Sequence, residues 1–336
     1  MRQFRIWIGT AVSMAFLVLL LRRVDGAEVL QSLRGVHLPW LLLAGAAFAC
    51  SLGVRVQRWR TILDRVLPIP ASDAAELLVI GCAANNILPA RTGEVVRAAL
   101  LQRRHGGSMV TALGTIVVER VFDGLILALM LALTLAFLGS NAVLRGLALI
   151  AGAAFGAVAL MLLLLALRPR LARGVIDAVL SLPPARIGDR LRALAARFLD
   201  GLTLLGGPRT WGAVAATSAA TWVLEAVTYW LVGIAFGLPL SPLVYLAVCG
   251  AANLTVAAPS TSGGIGPYEF FAREVVVSFG VGAAAGTAYA IALHAFVLLP
   301  VTLVGVLLLW RRDLGLGDLA QAGRTGRARA ATEASR

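Results

Sequence analysis

Residues 83–94 read AANNILPARTGE, and residues 251–269 read AANLTVAAPSTSGGIGPYE. Each stretch ends a short apolar run, 77–90 or 243–258, and brings Pro, Gly and polar residues into an apolar chain. Pro and Gly interrupt a helix and free backbone N–H and C=O groups, which at membrane depth are satisfied only inside protein or a watery cavity. The two stretches therefore predict broken, re-entrant hairpins, with two complete spans as the alternative.

The chain around these stretches has the composition of a polytopic membrane protein. Of its 336 residues, 59% are hydrophobic and 14% are charged, whereas soluble domains carry about 25% charged residues. This composition excludes a soluble enzyme, and it predicts an all-α fold with about six spans plus two re-entrant hairpins, or eight spans. The six apolar stretches that approach the length of a span are 6–21, 38–54, 110–138, 146–167, 211–236 and 283–310.

The charges exclude several further classes of protein. The formal net charge is +13, and every one of the 30 basic residues is Arg. A chain without Lys has neither a P-loop nor a Schiff-base lysine, so ATP-driven pumping and imine chemistry within it are excluded. The Arg residues flank apolar runs, which indicates membrane topology and not nucleic-acid binding. Cys50, Cys82 and Cys249 lack the spacing of a metal site or disulfide framework, and we expect no cofactor or metal.

The distribution of Arg predicts the orientation of the chain. With the N-terminus in the cytoplasm, 23 of the 30 Arg fall on cytoplasmic segments and four on external loops, as the positive-inside rule requires. We expect a multi-pass protein of the inner (plasma) membrane with both termini cytoplasmic. Arg91, Arg120 and Arg273 are predicted at membrane depth, where charged side chains are costly and usually functional.

The sequence also predicts an internal repeat. The tripeptide AAN recurs 168 residues apart, at the same place in two units of span, span, broken segment and span. Because the first unit contains three full spans, the second begins on the opposite side, as in the inverted repeats of secondary transporters. Repeat 1 covers about 1–138 and repeat 2 about 143–310. Residues 168–208 are predicted to form amphipathic helices on the cytoplasmic surface, and the basic tail 311–336 is predicted to be disordered.

Arg91 is a candidate anion-binding residue in the first broken segment. It lies between Pro89 and Gly93, where the helix that starts near Thr92 would present free N–H groups. An Arg side chain beside a helix N-terminus forms an anion site. The alternative is that Arg91 extends to the membrane interface or pairs with Glu94.

A second candidate is the charged group that precedes a long hydrocarbon run in VVERVFDGLILALMLAL. Glu119 and Asp123 are four residues apart and share a helical face, while Arg120 and Asp123 are three apart and can pair. The alternative is an interfacial cluster that only sets the depth of the span.

Two isolated ionisable residues are candidates for proton or ion coupling. Glu225 lies within TWVLEAVTYWLV, and His294 lies within AYAIALHAFVLL. A buried Glu or His can carry a proton. The alternative is a structural hydrogen bond to a neighbouring helix, which we favour for His294 but not for Glu225.

The second broken segment combines hydroxyl side chains with Gly residues. Ser260, Thr261 and Ser262 precede Gly263 and Gly264, and such a segment suits hydrogen bonding to a phosphate or sugar. A flexible turn would use the same residue types. A turn outside the membrane would not need the polar Asn253 and Glu269, which lie within the apolar zone.

Three motifs carry a resemblance to a known family. NNILPARTGEVVRAALL (85–101), VVERVFDGL (117–125) and PSTSGGIGPYEF (259–270) match in order and spacing the lysylphosphatidylglycerol synthase transmembrane-region family, a flippase-like domain. The resemblance and the candidates above together suggest a set of substrate-binding residues. These are Asn85, Asn86, Pro89, Arg91, Gly93, Glu94, Arg97, Glu119, Arg120, Asp123, Asn253, Ser260, Gly263, Gly264, Gly266 and Glu269.

The resemblance implies a lipid-handling protein whose best-understood relatives flip an aminoacylated phospholipid between leaflets. No soluble domain is expected after Trp310, so we expect transport and not lysyl transfer. Stand-alone members are similar to proteins found with glycolipid, polyprenyl-linked sugar or hopanoid pathways. Our hypothesis is therefore a flippase-like protein for a lipid with a polar or anionic headgroup, whose partners are membrane lipids.

Two alternatives belong to other classes of protein. One is a membrane-embedded transferase, against which the chain has no D-x-D pair and no metal-ligand cluster in its sequence. The other is a non-catalytic membrane partner of a separately encoded lipid or glycolipid enzyme, which would dock on residues 168–208.

Overall fold

The computed structural model describes residues 31, 35–65, 67–88, 92–138, 142–167, 207–256 and 262–311. Within these ranges the chain is all-helical, with nine α-helices and one 3₁₀ turn and no strand. The predicted first span at 6–21, most of the predicted cytoplasmic loop at 168–208 and almost all of the basic tail lie outside the described residues.

The helices follow one another through short connections. They are α1 (Leu38–Leu63), α2 (Ala71–Ile87), α3 (Gly93–His105), α4 (Met109–Leu138), α5 (Ala142–Leu167), α6 (Pro208–Ala235), α7 (Pro242–Val256), α8 (Pro267–Ser278) and α9 (Ala283–Arg311). The 3₁₀ turn Ser262–Gly264 precedes α8.

Five of these helices are long and apolar enough to cross a membrane, namely α1, α4, α5, α6 and α9. They coincide with five of the six predicted spans, which confirms a polytopic α-helical membrane protein. The end of α1 differs from the prediction. The apolar stretch stops at residue 54 because Arg55 follows, but the helix continues to Leu63. It continues because its charged and aromatic residues are packed inside the protein, as described below.

One helix ends and another begins on either side of each predicted break. The helices on either side of the breaks, α2, α3, α7 and α8, have 17, 13, 15 and 12 residues. At a rise of 1.5 Å per residue, none of them alone reaches across a hydrocarbon core of about 30 Å. These lengths support the prediction of re-entrant hairpins.

Glycine allows the first hairpin to fold back on itself. A Cβ atom added at Gly93 would lie 2.0 Å from the carbonyl oxygen of Gly81 and 2.6 Å from the backbone nitrogen of Asn85. The side-chain oxygen of Asn85 accepts a 2.8 Å hydrogen bond from the N–H of Gly93. The start of α3 therefore packs directly on the backbone of α2, and the N–H group freed by the break is satisfied within the hairpin.

The second break uses left-handed backbone. Gly263, Gly264 and Gly266 have φ angles of 74°, 75° and 101°, which favour glycine. Pro267 then occupies the first turn of α8, where its missing N–H costs nothing. These residues lead into α8, which packs on α7.

The helix pairs follow a pattern related to the predicted repeat. The long helices α1 and α6 pack along each other, α2 packs on α9, and α7 packs on α4. In the predicted repeat α1 corresponds to α6, α2 to α7 and α4 to α9. The α2–α9 pair therefore corresponds to the α7–α4 pair, and the α1–α6 pair corresponds to itself. This pattern supports two related units. Their inverted orientation in a membrane stays a prediction.

Two close crossings bring the broken segments against spans of the other unit. A Cβ atom at Gly250 of α7 would lie 2.8 Å from the carbonyl oxygen of Leu127 in α4. A Cβ atom at Gly305 of α9 would lie 2.3 Å from the Cβ of Ala83 in α2. Small residues at such crossings allow the close backbone approach that stabilises helix pairs in membranes. The breaks are thereby held against the spans of both units.

Candidate functional site

Charged side chains gather where α1, α3, α4 and α6 meet. We call this group the arginine–carboxylate cluster. Its members are Arg55, Arg58, Arg97 and Arg120 with Glu94, Glu119, Asp123 and Glu225. The formal charges of the four arginines and four carboxylates cancel. Buried charges require such pairing, since an unpaired charge in a low-dielectric interior is costly.

Arg58 and Asp123 form the centre of the cluster. Arg58 is 1% exposed, and its Nη1 and Nη2 atoms lie 2.6 Å and 3.3 Å from the two oxygens of Asp123. The same Nη1 donates to Ser218 at 2.9 Å, and the indole N–H of Trp222 donates to Asp123 at 2.8 Å. The Asp123 carboxylate is therefore fully engaged and ties α4 to α1 and α6.

Glu119 joins a second arginine to this centre. One of its oxygens lies 3.5 Å from Nε of Arg58, and the other accepts a 2.9 Å hydrogen bond from Arg97. The Arg97 guanidinium also lies 3.6 Å above the ring of Trp59, a geometry that attracts a cation to the aromatic face. Glu119 and Arg97 thus attach the helix after the first break to α1 and α4.

Arg120 lies at the edge of the cluster and is bound more loosely. Its side chain is 38% exposed, and it lies 3.4 Å from Glu94 and 3.5 Å from Asp123. The predicted pairing of Arg120 with Asp123 is present, at a distance longer than a charge-assisted hydrogen bond of about 2.7–2.9 Å. Because both contacts are long and part of the side chain is exposed, Arg120 is the arginine of the cluster most accessible to a ligand.

Glu225 has a partner that its sequence context did not reveal. Its Oε2 atom lies 2.5 Å from Nη2 of Arg55 and 3.4 Å from the hydroxyl of Ser51. Arg55 also lies 4.6 Å above the Trp222 ring. Glu225 is therefore not an isolated charge, because the extension of α1 places an arginine beside it.

Arg55 and Arg58 are the residues that sequence reasoning missed. It assigned both to the cytoplasmic flank, since they follow the last apolar residue of the predicted span. A signal was available in the spacing: Ser51, Arg55 and Arg58 are separated by four and three residues, which places them on one face of a continuous helix. Glu119 and Asp123 show the complementary spacing on α4.

A separate polar group lies at the second break. His294 of α9 lies 2.7 Å from Oε1 of Glu269 through Nδ1, and 3.1 Å from the carbonyl oxygen of Gly263 through Nε2. The other oxygen of Glu269 accepts a 2.7 Å hydrogen bond from the N–H of Gly266. The Tyr268 ring stacks on the imidazole at a centroid distance of 4.1 Å. His294 thus connects α9 to α8 and to the turn before it.

Tyrosine hydroxyls connect this group to α6 and α7. Tyr268 donates a 2.6 Å hydrogen bond to the hydroxyl of Tyr229, and Nδ2 of Asn253 donates to the same hydroxyl at 2.9 Å. The predicted Asn253 therefore contributes to the second break through Tyr229, which sequence reasoning did not select.

The two broken segments meet inside the protein. A Cβ atom added at Gly263 would lie 3.6 Å from the carbonyl oxygen of Asn86, and the Asn86 side chain donates a 2.9 Å hydrogen bond to Thr302 of α9. The end of α2 therefore contacts the 3₁₀ turn that precedes α8. We call the contact between Asn86 and Gly263 the hairpin junction.

A polar stripe on α6 runs from the cluster towards the second break. Ser218, Trp222, Glu225 and Tyr229 are spaced by four, three and four residues, so they share one helical face. Eleven residues of helix rise about 16 Å. Their partners run from Arg58 and Asp123 at one end to the second break at the other.

The structure does not join every predicted site residue to these two groups. Pro89, Arg91 and Ser260 lie outside the described residues. Arg273, predicted at membrane depth, is buried and bonds to Thr287 and Glu274, apart from the cluster.

Comparisons with known proteins place the chain in a family. Residues 6–305 match the family described as the lysylphosphatidylglycerol synthase TM region. The chain is also similar to the glycosyltransferase AglD of Haloferax volcanii, with 27% identity over 335 residues. That match covers 90% of this chain and 54% of the relative, so the chain spans about half the length of the relative. Since the family match covers nearly the whole sequence, this multi-pass membrane protein belongs to the lysylphosphatidylglycerol synthase TM-region family.

Proposed function

We propose that this protein binds a membrane lipid with a polar or anionic headgroup and moves that headgroup between the leaflets. The lipid would be a phospholipid, a glycolipid or a polyprenyl-linked lipid. The observation that carries the proposal is Arg120, a 38% exposed cation with long contacts of 3.4 Å and 3.5 Å to carboxylates, at the edge of the cluster. Each of the other three arginines has a carboxylate within 2.9 Å.

Arg120 suits a phosphate better than the other arginines of the cluster do. Arg58 and Arg97 are engaged with carboxylates and are buried, whereas the contacts of Arg120 with Glu94 and Asp123 are long. A phosphate can therefore replace Glu94 as its partner, with the two parallel hydrogen bonds that a guanidinium fork provides. Arg91, in the adjacent break by sequence, would add a second cation.

The arrangement of polar residues supports movement as well as binding. The α6 stripe runs from the cluster to Tyr229, which bonds to Tyr268 beside the second break. A headgroup that leaves Arg120 would pass along polar side chains while the lipid tails remain in the membrane. In this proposal the cluster lies towards the cytoplasmic side of the plasma membrane, as the Arg distribution predicts.

The test is reconstitution of the purified protein into liposomes with headgroup-labelled phospholipids, glycolipids and polyprenyl phosphates. Arg120→Ala should reduce headgroup translocation at least about tenfold, because a hydrogen bond to a charged group contributes about 1.5–3 kcal/mol. Arg104→Ala is the matched control, since Arg104 of α3 pairs with Glu76 of α2, outside the cluster. Unchanged translocation in an active Arg120→Ala preparation would contradict the proposed role.

A second candidate function comes from the relative that is named a glycosyltransferase. This name favours a role in glycolipid metabolism, either as a membrane-embedded transferase or as the membrane partner of a separate enzyme. Incubation of the purified chain with nucleotide-activated and lipid-linked sugars tests the first possibility. Product formation would favour a transferase over a flippase. Loss of an enzyme's membrane association on deletion of residues 168–208, with lipid movement intact, would favour a partner.

A further inference from the structure

Both ring nitrogens of His294 lie within hydrogen-bond distance of an oxygen atom. Its two ring nitrogens face a carboxylate oxygen of Glu269 and the carbonyl oxygen of Gly263, both of which are acceptors. A neutral imidazole has one donor and one acceptor nitrogen. Both contacts can therefore be hydrogen bonds at the same time only if the pair holds one proton more than a neutral imidazole beside a carboxylate.

The surroundings favour an imidazolium beside a carboxylate as the form that carries this extra proton. The second oxygen of Glu269 accepts the N–H of Gly266 at the start of α8, and a helix N-terminus stabilises a negative charge. The Tyr268 ring lies face to face with His294, and an aromatic face attracts a cation.

Few other ionisable groups face the pair. From α6 and α8 come the hydroxyls of Tyr229 and Tyr268, which bond to each other. Arg273, one turn beyond Glu269 on α8, is directed to Thr287 and Glu274. On α2 the neighbour of Gly263 is Asn86, which does not titrate. Within the described part of the chain, Glu269 and His294 form ion pairs only with each other.

Loss of the extra proton breaks the contact with the second break. A neutral imidazole that donates through Nδ1 to Glu269 turns the lone pair of Nε2 towards the carbonyl oxygen of Gly263, and two acceptors repel. Gly263 has a left-handed φ of 74° and lies against Asn86. The hydrogen bond from His294 thus holds the hairpin junction in its observed form.

We propose that the Glu269–His294 pair is a proton-binding site that locks the hairpin junction, and that release of the proton from the imidazolium to water opens the junction. The use of this lock in lipid movement rests on the proposed function, whereas the lock itself rests on the contacts. Glu225 does not fill this role, because Arg55 already offsets its charge. The ligand of the site is a proton, and the moving element is the turn from Ser262 to Gly264.

The experiment follows the turn directly. Ile265, which adjoins the turn and is exposed, is replaced by Cys in a chain carrying Cys50→Ala, Cys82→Ala and Cys249→Ala. A nitroxide on this Cys reports local mobility by EPR as the pH of the liposome suspension is raised. We expect low mobility at acidic pH, high mobility at alkaline pH and a single titration between them. Mobility that does not change with pH would overturn the proposal.

Glu269→Gln distinguishes the lock from a general effect of pH. A Gln amide can accept from Gly266 and donate to Nδ1, so a neutral imidazole keeps its Nε2–H on Gly263. This variant should stay immobile throughout the pH range. His294→Gln can serve only one of the two contacts and should be mobile even at acidic pH. A pH titration that survives in Glu269→Gln contradicts the proposal.

Glu274→Gln is the matched control, because Glu274 lies on the same helix and pairs with Arg273 away from His294. It should titrate like the parent. Lipid movement is measured in the same liposomes. A label that titrates in a protein that moves no lipid contradicts the proposed function and leaves the lock intact. If lipid movement depends on Arg120 but the mobility of the label does not change with pH, the lock is contradicted and the proposed function is not.

Discussion

Arg58 of α1 and Asp123 of α4 form a buried two-point ion pair, with 2.6 Å and 3.3 Å between their nitrogens and oxygens. Their side chains are 1% and 4% exposed. The pair connects α1, the span that precedes the first broken segment, with α4, the span that follows it. Because Trp222 and Ser218 of α6 bond to the same two residues, the pair also fixes α6 against both helices.

We expect Arg58→Ala to lower the free energy of unfolding by about 3–5 kcal/mol, because it leaves the Asp123 charge buried without its main partner. Thermal unfolding of the protein in detergent micelles measures this loss. Arg60→Ala is the control, since the Arg60 side chain bonds to Gln57 in an exposed contact outside the cluster. A loss no larger than that of the control would show that the ion pair does not stabilise the helix packing.

Gly93→Ala should open the first hairpin. The added methyl group would lie 2.0 Å from the Gly81 oxygen, so the start of α3 must move away from α2, at a cost of about 1–3 kcal/mol or more. The unfolding temperature should fall accordingly. Gly146→Ala on α5 meets nothing within 4 Å and should be neutral or slightly stabilising. Equal behaviour of the two variants would mean that the hairpin does not need this close approach.

Arg91→Ala should reduce headgroup translocation in liposomes by about 10- to 100-fold, the effect of one charge-assisted hydrogen bond of about 1.5–3 kcal/mol. Arg91→Lys should recover part of the rate, since the charge returns without the guanidinium fork. The unfolding temperature, measured on the same preparations, separates a binding effect from misfolding. Full activity in a folded Arg91→Ala protein would remove Arg91 from the proposed site.

Glu225→Gln tests whether the charge of Glu225 serves to hold α6 against α1 through Arg55. We expect the free energy of unfolding to fall by about 1–3 kcal/mol, because Arg55 loses a charged partner inside the protein. The pH response of lipid movement should remain that of the parent. A lost or displaced pH response would instead make Glu225 the coupling residue, as its sequence context suggested.

The sequence was sufficient for the class of fold and the position of the breaks. Apolar runs of span length are set by the thickness of the hydrocarbon, and Pro and Gly that cluster with polar residues interrupt helices. For this reason five of the six predicted spans are present among the described residues, and helices end and begin on either side of both predicted breaks. The motif residues Glu119, Arg120 and Asp123 also lie together in the site, because their spacing alone places them on neighbouring positions of one helix.

Only the tertiary structure decided which charges from distant parts of the chain are partners. Arg55 and Arg58 follow an apolar run and resemble residues of a cytoplasmic flank. Arg55 nevertheless bonds to a carboxylate 170 residues away in the chain, and Arg58 bonds to one 65 residues away. The joining of Glu269 to His294 and Gly263, and of Gly263 to Asn86, likewise depends on how helices from two units pack. Helix periodicity acts over a few residues, whereas the pairing of buried charges is set by the low dielectric of the assembled interior. The sequence by itself therefore determined where this chain crosses and breaks, and the packing determined which of its charges meet.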